Sequence, residues 1–463
     1  QSLGTNNTAI YVNAESAVNL GTKGDVDSDG NLIVSTSNPT IKSSMKGISV
    51  GRNSKSNGIF NFYDGIVIAP TAIDGAINEI EDGYNVKTDT DENNNEVKYL
   101  ERSFVVKNLT TNEKFYSLNE AVENASNDDT LQFIQSINLL PEEKTTEIIQ
   151  GKTITIDING KVIDSTNTLF IKNEGQLKII DSANTLNEDK SVNYGNGKLS
   201  TTGSSLIENI GTLEIDSVVI AGNHNIGNII SNNDSGNLII KNSKFDINLS
   251  SIITSGKDNF NGISNLSNGD VTISNTEFYN STTDSKVTGY SIYNGIGSII
   301  LENNKFYEDS DSGVSAIYND NDAEIKVKNS TILRSIYNNS SKDINLENCI
   351  FKHVNNGSTG NINITGGSVN VENLDTYPAY ISLISNYGTG DINVDNLSVS
   401  TKGSKIASFY NASSGNININ SGDIINSSNS VKNIYNKSSG IINIGKSSNE
   451  KASNDMIKIN SGI

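Results

Sequence analysis

Three observations in the sequence predict an all-β fold, a parallel β-helix in which short strands wind into stacked coils. A motif of Ile-Tyr-Asn, a polar turn and an alternating Ile-x-Leu-x-Asn strand recurs in the second half of the chain, as in Ser291–Phe306 and Ser335–Phe351. Apolar and polar residues alternate at the period of a strand, without a helical period in the repeats. The repeat length varies between 19 and 33 residues, which fits coils whose turns accept insertions.

Asparagines at fixed places in the motif predict two stacked columns. Coils stack at the usual inter-strand spacing of ~4.8 Å, so identical side chains lie above one another and amides bond in ladders. The first predicted ladder contains Asn265, Asn294, Asn319, Asn338, Asn386, Asn411 and Asn436, with Asn355 or Asn356 in the gap. The second predicted ladder contains Asn275, Asn303, Asn329, Asn348 and Asn396.

Residues 117–125 predict a short capping helix. Ser117 and Glu120 have the spacing of a capping box, and Leu118 and Ala121 belong to one apolar face. A helix here covers the open edge of a first coil, which would otherwise pair with another chain.

The motif also occurs before this helix, in Gly58–Ala69. We therefore predict three segments. Residues 1–70 are the last coils of a first β-solenoid module, and 71–114 form a β-rich connector with a β-hairpin. Residues 115–463 form a second module that continues beyond the given sequence.

The pattern of residues 110–463 resembles the right-handed parallel β-helix, or pectate-lyase-like, superfamily. The order of solenoid, connector, helix cap ("SLNEAVENA") and solenoid resembles tandem β-helix modules in large surface and adhesin proteins of low-GC Gram-positive bacteria. This resemblance implies right-handed coils and a secreted or cell-surface location. It indicates architecture more than function, because the superfamily includes lyases, hydrolases, phage tailspikes and adhesins.

The composition excludes several classes of partner. The net charge of −19 argues against nucleic acid, which requires a basic face. Apolar runs are too short to insert into a membrane. The single Cys349 excludes an intrachain disulfide framework, and we expect it to be buried. No signal peptide is recognisable, although one that was removed would leave no trace.

The outward positions of the Ile-x-Leu-x-Asn strand do not predict a catalytic site. Glycoside-cleaving enzymes use two carboxyl groups about 5–9.5 Å apart. Here acids alternate with lysines or polar residues, as expected of a solvated face. The two histidines, His224 and His353, are far apart in coil number. We therefore predict that the chain is not an enzyme.

Two outward stripes are candidates for contacts. One is polar, and we interpret it as an external ladder that stiffens the sheet: Asn345, Asn363, Asn393, Asn418 and Asn443. The other is aromatic, consisting of Tyr293, Tyr318, Tyr337, Tyr410 and Tyr435. Stacked tyrosines either bind a glycan or neighbouring fibre, or stabilise only their own strand.

One segment has the spacing of a calcium-binding loop. Asp25, Asp27 and Asp29 precede Gly30, as in an EF-hand, but Thr36 replaces the final Glu. A calcium-supported turn and an acidic, solvent-exposed turn both fit. We expect no other cofactor.

The sequence thus predicts a non-enzymatic extracellular β-solenoid, a stalk, fibre or adhesive segment of a bacterial surface. Its partners would be copies of itself, other surface proteins or glycans. Two alternatives remain open at this point: a glycan-binding or glycan-cleaving β-helix of the tailspike or polysaccharide-lyase type, and a self-assembling filament subunit.

Overall fold

A computed structural model confirms the predicted fold class. It describes residues 7–25, 33–51, 56–81, 83–139, 144–166, 169–203, 205–223, 227–249, 260–282, 288–307, 313–372, 381–402, 406–426, 433–445 and 458–461. Within these residues the chain is a parallel β-solenoid with a single helix. It divides into two compact units, Gln1–Asn124 with Phe133–Lys144, and Ala125–Gln132 with Thr145–Ile463.

The first unit begins as a short solenoid in which the chain passes through three sheets in turn. The parallel strands of these sheets are Thr8–Val12, Lys46–Val50 and Thr71–Asp74; Ala17–Leu20, Ile59–Phe62 and Glu79–Ile80; and Thr40–Lys42 and Ile66–Ala69. Phe60, Phe62 and Val67 are fully buried between the sheets. The motif in Gly58–Ala69 therefore supplies core residues of a coil, and Thr71–Ile80 continues the solenoid into the segment predicted as a connector.

The predicted hairpin completes one of these sheets. Tyr84–Thr90 and Glu96–Arg102 pair antiparallel, and the second strand also pairs antiparallel with Ile66–Ala69. A short hairpin of Val106–Asn108 and Lys114–Phe115 follows. The first unit also contains the strand Ile137–Leu139.

The helix spans Leu118–Asn124 and buries Leu118, Ala121 and Val122. The Ser117 hydroxyl accepts the N–H of Glu120 (3.1 Å), and the Glu120 carboxylate accepts the N–H of Tyr116 (3.0 Å). These bonds satisfy backbone donors that a helix start leaves unpaired. The helix belongs to the first unit, whereas the sequence pattern predicts it as the start of the second module.

The second unit repeats three strand positions per coil, here named A, B and C in chain order. The A strands form one parallel sheet: Asp129–Phe133, Thr153–Asp157, Gln176–Ile180, Thr212–Asp216, Asn237–Lys241, Asp270–Ser274, Ser298–Glu302, Glu324–Lys328, Ile344–Glu347, Ile362–Thr365, Ile392–Asp395, Ile417–Ile419 and Ile442–Ile444.

The B and C strands belong to a second parallel sheet. The B strands are Val162–Ser165, Lys198–Thr201, Val219–Asn223, Lys244–Leu249, Glu277–Thr282, Lys305–Phe306, Ser368–Glu372, Leu397–Lys402, Gly422–Asn426 and Lys458–Ser461. The C strands are Thr146–Ile148, Leu169–Asn173, Ser205–Asn209, Asn228–Asp234, Phe260–Ser267, Thr288–Asn294, Gly313–Asn321, Ile381–Asn386, Ile406–Asn411 and Ile434–Asn436. Two longer strands, Thr331–Ser340 and Ile350–Asn356, supply the B and C positions together. A small hairpin, Thr185–Leu186 with Val192–Asn193, lies in an insertion.

Strict register gives the second unit a core of stacked apolar columns. In the A sheet, Val271, Ile299 and Ile325 are successive partners, and all are buried. In the B position, the Phe278 ring lies between those of Phe245 and Phe306, with centroids 4.9 and 4.5 Å away. Each coil thus contacts mainly the coils before and after it, as in other solenoids.

Each A strand in the middle of this unit is followed by a sharp turn into strand B. The residue after the strand has a positive φ, for example 57° at Asn303, 50° at Asn329 and 52° at Asn348. This left-handed region is unfavourable for most L-residues, and asparagine and glycine tolerate it best. Asparagine therefore recurs there for a backbone reason.

We predict that Asn329→Ala lowers the free energy of unfolding by about 1 kcal/mol, because alanine is strained at a φ of 50°. Asn329→Gly should remain within about 0.5 kcal/mol of the original protein, because glycine adopts this conformation freely. Urea unfolding of both variants measures the difference. Equal losses in the two variants would show that the side chain, not the backbone conformation, is what matters.

Candidate functional site

The most regular polar feature of the second unit is a column of buried asparagines at the ends of the C strands. The Nδ2 group of each donates to the Oδ1 atom of the next over 2.6–3.4 Å. The bonded members are Asn173, Asn209, Asn232, Asn265, Asn294, Asn319, Asn338, Asn356 and Asn386, and then Asn411 with Asn436, which is exposed. The gap left open in the sequence is filled by Asn356, while Asn355 faces outward in register with Tyr337.

The same amides also close the turn from strand C to strand A. Asn319 Nδ2 donates to the carbonyl of Ala323 (2.7 Å), and Asn386 Nδ2 to that of Gly390 (2.9 Å). Between Asn386 and Asn411 the described residues show no amide bond, and the Asn411 Oδ1 atom is buried without a hydrogen-bond partner there. The column therefore fixes the corner of each coil, with one interruption.

The second predicted ladder has a different structure. Asn275 donates to Asn242 (2.8 Å), but no other amide pair of this set is bonded within the described residues. Its members are the left-handed turn residues: Asn275, Asn303, Asn329, Asn348 and Asn396. Apart from Asn275 they are exposed, and within the described residues their amides are not bonded to one another, so the interpretation as a ladder is wrong for them.

A buried polar column that was not predicted from the sequence lies one residue after these turn asparagines. It contains Ser243, Thr276, Asn304, Ser330 and Cys349, each at most 1% exposed. Its side chains form hydrogen bonds within a turn and between coils. The Ser330 hydroxyl donates to the Lys328 carbonyl of its own turn (2.9 Å) and accepts the N–H of Asn304 in the preceding coil (3.0 Å). The sequence does contain a pattern for this column, because a small polar residue follows the turn asparagine in the dipeptides NS, NT, NN and NC.

In this column Cys349 occupies the position that Ser330 occupies in the preceding coil. Its Sγ atom lies 3.3 Å from the Glu347 carbonyl, as a weak donor. Burial raises the pKa of the thiol, which disfavours the reactive thiolate. Cys349 is thus a packed structural residue, as expected.

The outward asparagines of the A sheet form an external ladder. Nδ2 of Asn443 donates to Asn418 (2.7 Å), and Asn418 to Asn393 (2.8 Å). Asn393 donates to Asn363 (2.8 Å), and Asn363 to Asn345 (2.9 Å). These bonds point towards the start of the chain, opposite to those of the buried column.

The tyrosine stripe is in register along the C strands. Tyr293, Tyr318 and Tyr337 are successive partners, as are Tyr410 and Tyr435, and all are half-buried. The rings of Tyr293 and Tyr318 are nearly parallel (11°) with centroids 5.9 Å apart, and Tyr290 packs on Tyr318 at 4.5 Å. The faces of the Tyr318 ring are therefore turned towards neighbouring rings of the same chain.

These contacts change the acidity of the stripe. Burial, with the charge of Asp320 and a 3.1 Å bond to it, raises the pKa of Tyr293 to about 12. Burial also raises the pKa of Tyr290 and of Tyr318.

We predict a loss of stability at alkaline pH. An unfolded tyrosine titrates near pH 10, so the contribution of Tyr293 is complete below pH 10 and disappears as the pH rises through about 12. Urea unfolding between pH 8 and 12 should show a shallower alkaline loss in Tyr293→Phe than in the original protein. Identical pH profiles would contradict this assignment.

Acidic groups on the outer face of the A sheet are paired. The Glu214 carboxylate lies 3.0 Å from the ammonium groups of both Lys178 and Lys241. Burial alone would raise the pKa of Glu214, but these two lysines hold it below its usual value. Glu347 pairs with Lys328 at 3.1 Å. Such pairs contribute little stability, but they separate like charges on adjacent coils.

The calcium hypothesis falls largely outside the described residues, since these exclude Asp27 and Asp29. The carbonyl of Asp25 accepts the N–H of Ile33 (2.8 Å). The described residues contain no group of three His, Cys, Asp or Glu side chains suited to a metal ion. His224 also lies outside the described residues.

Among the described residues, no helix has the length and apolarity needed to cross a membrane. Comparisons with protein-family models, with curated proteins and with solved structures found no match.

Proposed function

We propose that this chain is a non-enzymatic structural β-solenoid that serves as a stalk, fibre or adhesive segment on the outside of a bacterial cell. The observation that carries the proposal is the buried asparagine column. In this column the asparagines of successive coils bond to one another within the chain. A hydrogen-bonded column of this kind stiffens the stack and fixes its register, as amide ladders do in other stacked sheets.

The outer face supports the same proposal. Repeated carboxylates there are engaged by lysines of adjacent coils, as at Glu214 and Glu347. The two lysines hold the pKa of Glu214 below its usual value, whereas a general acid requires a raised pKa. The geometry is that of a solvated surface with paired charges.

The aromatic stripe favours the structural interpretation over glycan binding. Aromatic side chains bind ligands by presenting a free apolar surface. The Tyr318 ring instead packs against Tyr290, Tyr293 and Tyr337 of its own chain. We interpret the stripe as stabilising the C strands.

The enzymatic alternative is tested with a panel of neutral and acidic polysaccharides. The proposal predicts neither new reducing ends nor unsaturated sugars after prolonged incubation with the purified chain. Turnover of any member, abolished in a variant of an outward acid such as Glu302→Gln, would overturn it.

The location is tested on intact, unpermeabilised cells that make the protein. An antibody against the purified chain should label their outer surface. Labelling that requires permeabilisation would contradict the extracellular assignment.

A further inference from the structure

One turn between an A strand and a B strand is much longer than those that follow it. In the coil of Gln176–Ile180, residues 181–197 lie between the two strands, whereas in the next coil only Ser217 and Val218 do. This insertion forms the small hairpin described above. A solenoid turn accepts extra chain without disturbing the stacked strands, so the position of the insertion depends on its own contacts.

The insertion lies along the stack, over the turns of the coils that follow. Asn184 Nδ2 donates to the carbonyl of Ser217, the turn residue of the first following coil (2.7 Å). The Tyr194 hydroxyl donates to the carbonyl of Asn242, the turn residue of the second following coil (3.0 Å). The two sides of the hairpin are thus attached to different coils.

The tip of the hairpin reaches further still. Asn275, the turn residue of the third following coil, donates its Nδ2 group to the carbonyl of Lys190 (2.6 Å). Hydrogen bonds from Ser191 and, to a smaller extent, the charge of Lys305 in the fourth following coil hold the pKa of Asp189 below its usual value. The insertion therefore crosses the stack from one coil to coils that are not its direct neighbours.

The exposure of the turn residues changes where the insertion ends. Asn242 and Asn275 beneath it are half-buried, whereas those at the same position in later coils are exposed: Asn303, Asn329, Asn348 and Asn396. Tyr194 is half-buried as well, and burial, followed by the charges of Glu277 and Tyr307, raises its pKa. The insertion thus covers the turns to which it bonds.

Both ends of the insertion are held against a buried carboxyl group of their own coil. Asp181 is 2% exposed, and its Oδ1 atom accepts the N–H groups of Gly160 (2.7 Å) and Ala183 (3.1 Å). At the other end, a Cβ atom on Gly197 would lie only 2.3 Å from Asp181 Oδ2. The base is therefore packed, while the hairpin itself is bonded to other coils.

We infer that residues 182–196 are an axial strap, a conformational device that makes the coils beneath it open together. In a solenoid each coil is otherwise coupled only to the coils before and after it. The strap adds a direct link from one coil to the third coil after it. This inference rests on the proposed structural role and goes beyond it, because it identifies a segment that opposes the opening of single coils.

Hydrogen exchange in a variant with a shortened strap tests this coupling. Replacing residues 186–192 by Asn-Gly, a two-residue hairpin turn, removes the tip but keeps Asn184 and Tyr194. Amide exchange in residues 270–282 should become about fivefold faster or more, as expected for the loss of one hydrogen bond. Exchange in residues 392–402, remote from the strap, should not change. Unchanged exchange in residues 270–282 would overturn the inference.

The coupling should also be measurable in the opposite direction, because a coupling free energy is reciprocal. Asn275→Gly keeps the left-handed turn and removes the amide that bonds the Lys190 carbonyl. Amide exchange in residues 184–195 should become about fivefold faster. Asn303→Gly is the matched control, the same change one coil further along, and should leave exchange in the strap unaltered. Equal exchange of the strap in the two variants would count against the coupling.

Tyr194→Phe is a milder variant, which keeps the ring and removes the bond to the Asn242 carbonyl. Exchange in residues 237–249 should become about fivefold faster, and a rate equal to that of the original protein would contradict the role of Tyr194 as an anchor of the strap. None of these exchange measurements bears on the polysaccharide assay or on the antibody labelling of cells, so this inference and the proposed function fail separately.

Discussion

Phe278→Ala is expected to lower the free energy of unfolding by about 3–5 kcal/mol, the range for deleting a buried phenylalanine ring. The ring is 1% exposed and stacks on both sides, at 16° to Phe245 and 3° to Phe306. Its removal leaves a cavity between two coils, which strict register prevents from closing. Denaturant unfolding followed by circular dichroism measures the loss.

The matched control for this change is Ile350→Ala. Ile350 also lies at a B position, but in the neighbouring outward column, in register with Thr331, and is 45% exposed. Its truncation should cost less than about 1 kcal/mol. If Phe278→Ala cost no more than Ile350→Ala, the aromatic column would not be a packed core.

Asn319→Leu should lower the free energy of unfolding by about 2–4 kcal/mol, although the two side chains are similar in size. Asn319 is fully buried and makes three amide bonds: it donates to Asn338 (3.0 Å) and Ala323 (2.7 Å) and accepts from Asn294 (3.0 Å). Leucine removes all three, and each buried partner left short of a bond costs about 1–3 kcal/mol before relaxation.

Asn339→Ala provides the comparison, because Asn339 lies in the strand Thr331–Ser340 but is exposed. Its side chain bonds only Asp320 among the described residues (2.9 Å), and we expect a change within about 0.5 kcal/mol. Urea unfolding of both variants measures the two changes in the free energy of unfolding. A loss in Asn319→Leu as small as in Asn339→Ala would mean that the buried column contributes order without stability.

The strand pattern and the inward direction of the main columns could be predicted from the sequence. Alternation of apolar and polar residues determines which side of a strand faces the core, and the apolar residues Ile299, Leu301 and Phe306 of the motif are all buried. Repetition of Ile-x-Asn likewise identified the corner that Asn294 and Asn319 occupy. These features depend on period alone, which one sequence contains.

The different roles of the asparagines could not be predicted in the same way. Asn303 and Asn304 are adjacent, yet the first is an exposed left-handed turn residue and the second is fully buried. Which of the two enters the core depends on the φ angle at the turn. Residue type does not reveal it, because asparagine suits both a left-handed turn and a buried hydrogen bond.

The tyrosine stripe shows a similar limit. Alternation places Tyr293, Tyr318 and Tyr337 in one outward column, and the register agrees. Whether the rings present their faces to solvent or to each other depends on side-chain torsions and on Tyr290, which lies outside the motif. The ring geometry therefore had to come from the structure.

The unfolding transition of a variant that lacks one whole coil provides the most stringent test of the β-solenoid. Deleting residues 339–356 joins Asn338 to Gly357 and removes one A, B and C position together, since Asn338 and Asn356 are register partners. A solenoid whose coils contact only their neighbours closes this gap by restacking. We expect a β-sheet spectrum and a single cooperative urea transition at a moderately lower midpoint. Loss of β-structure, or a broad non-cooperative transition, would contradict it.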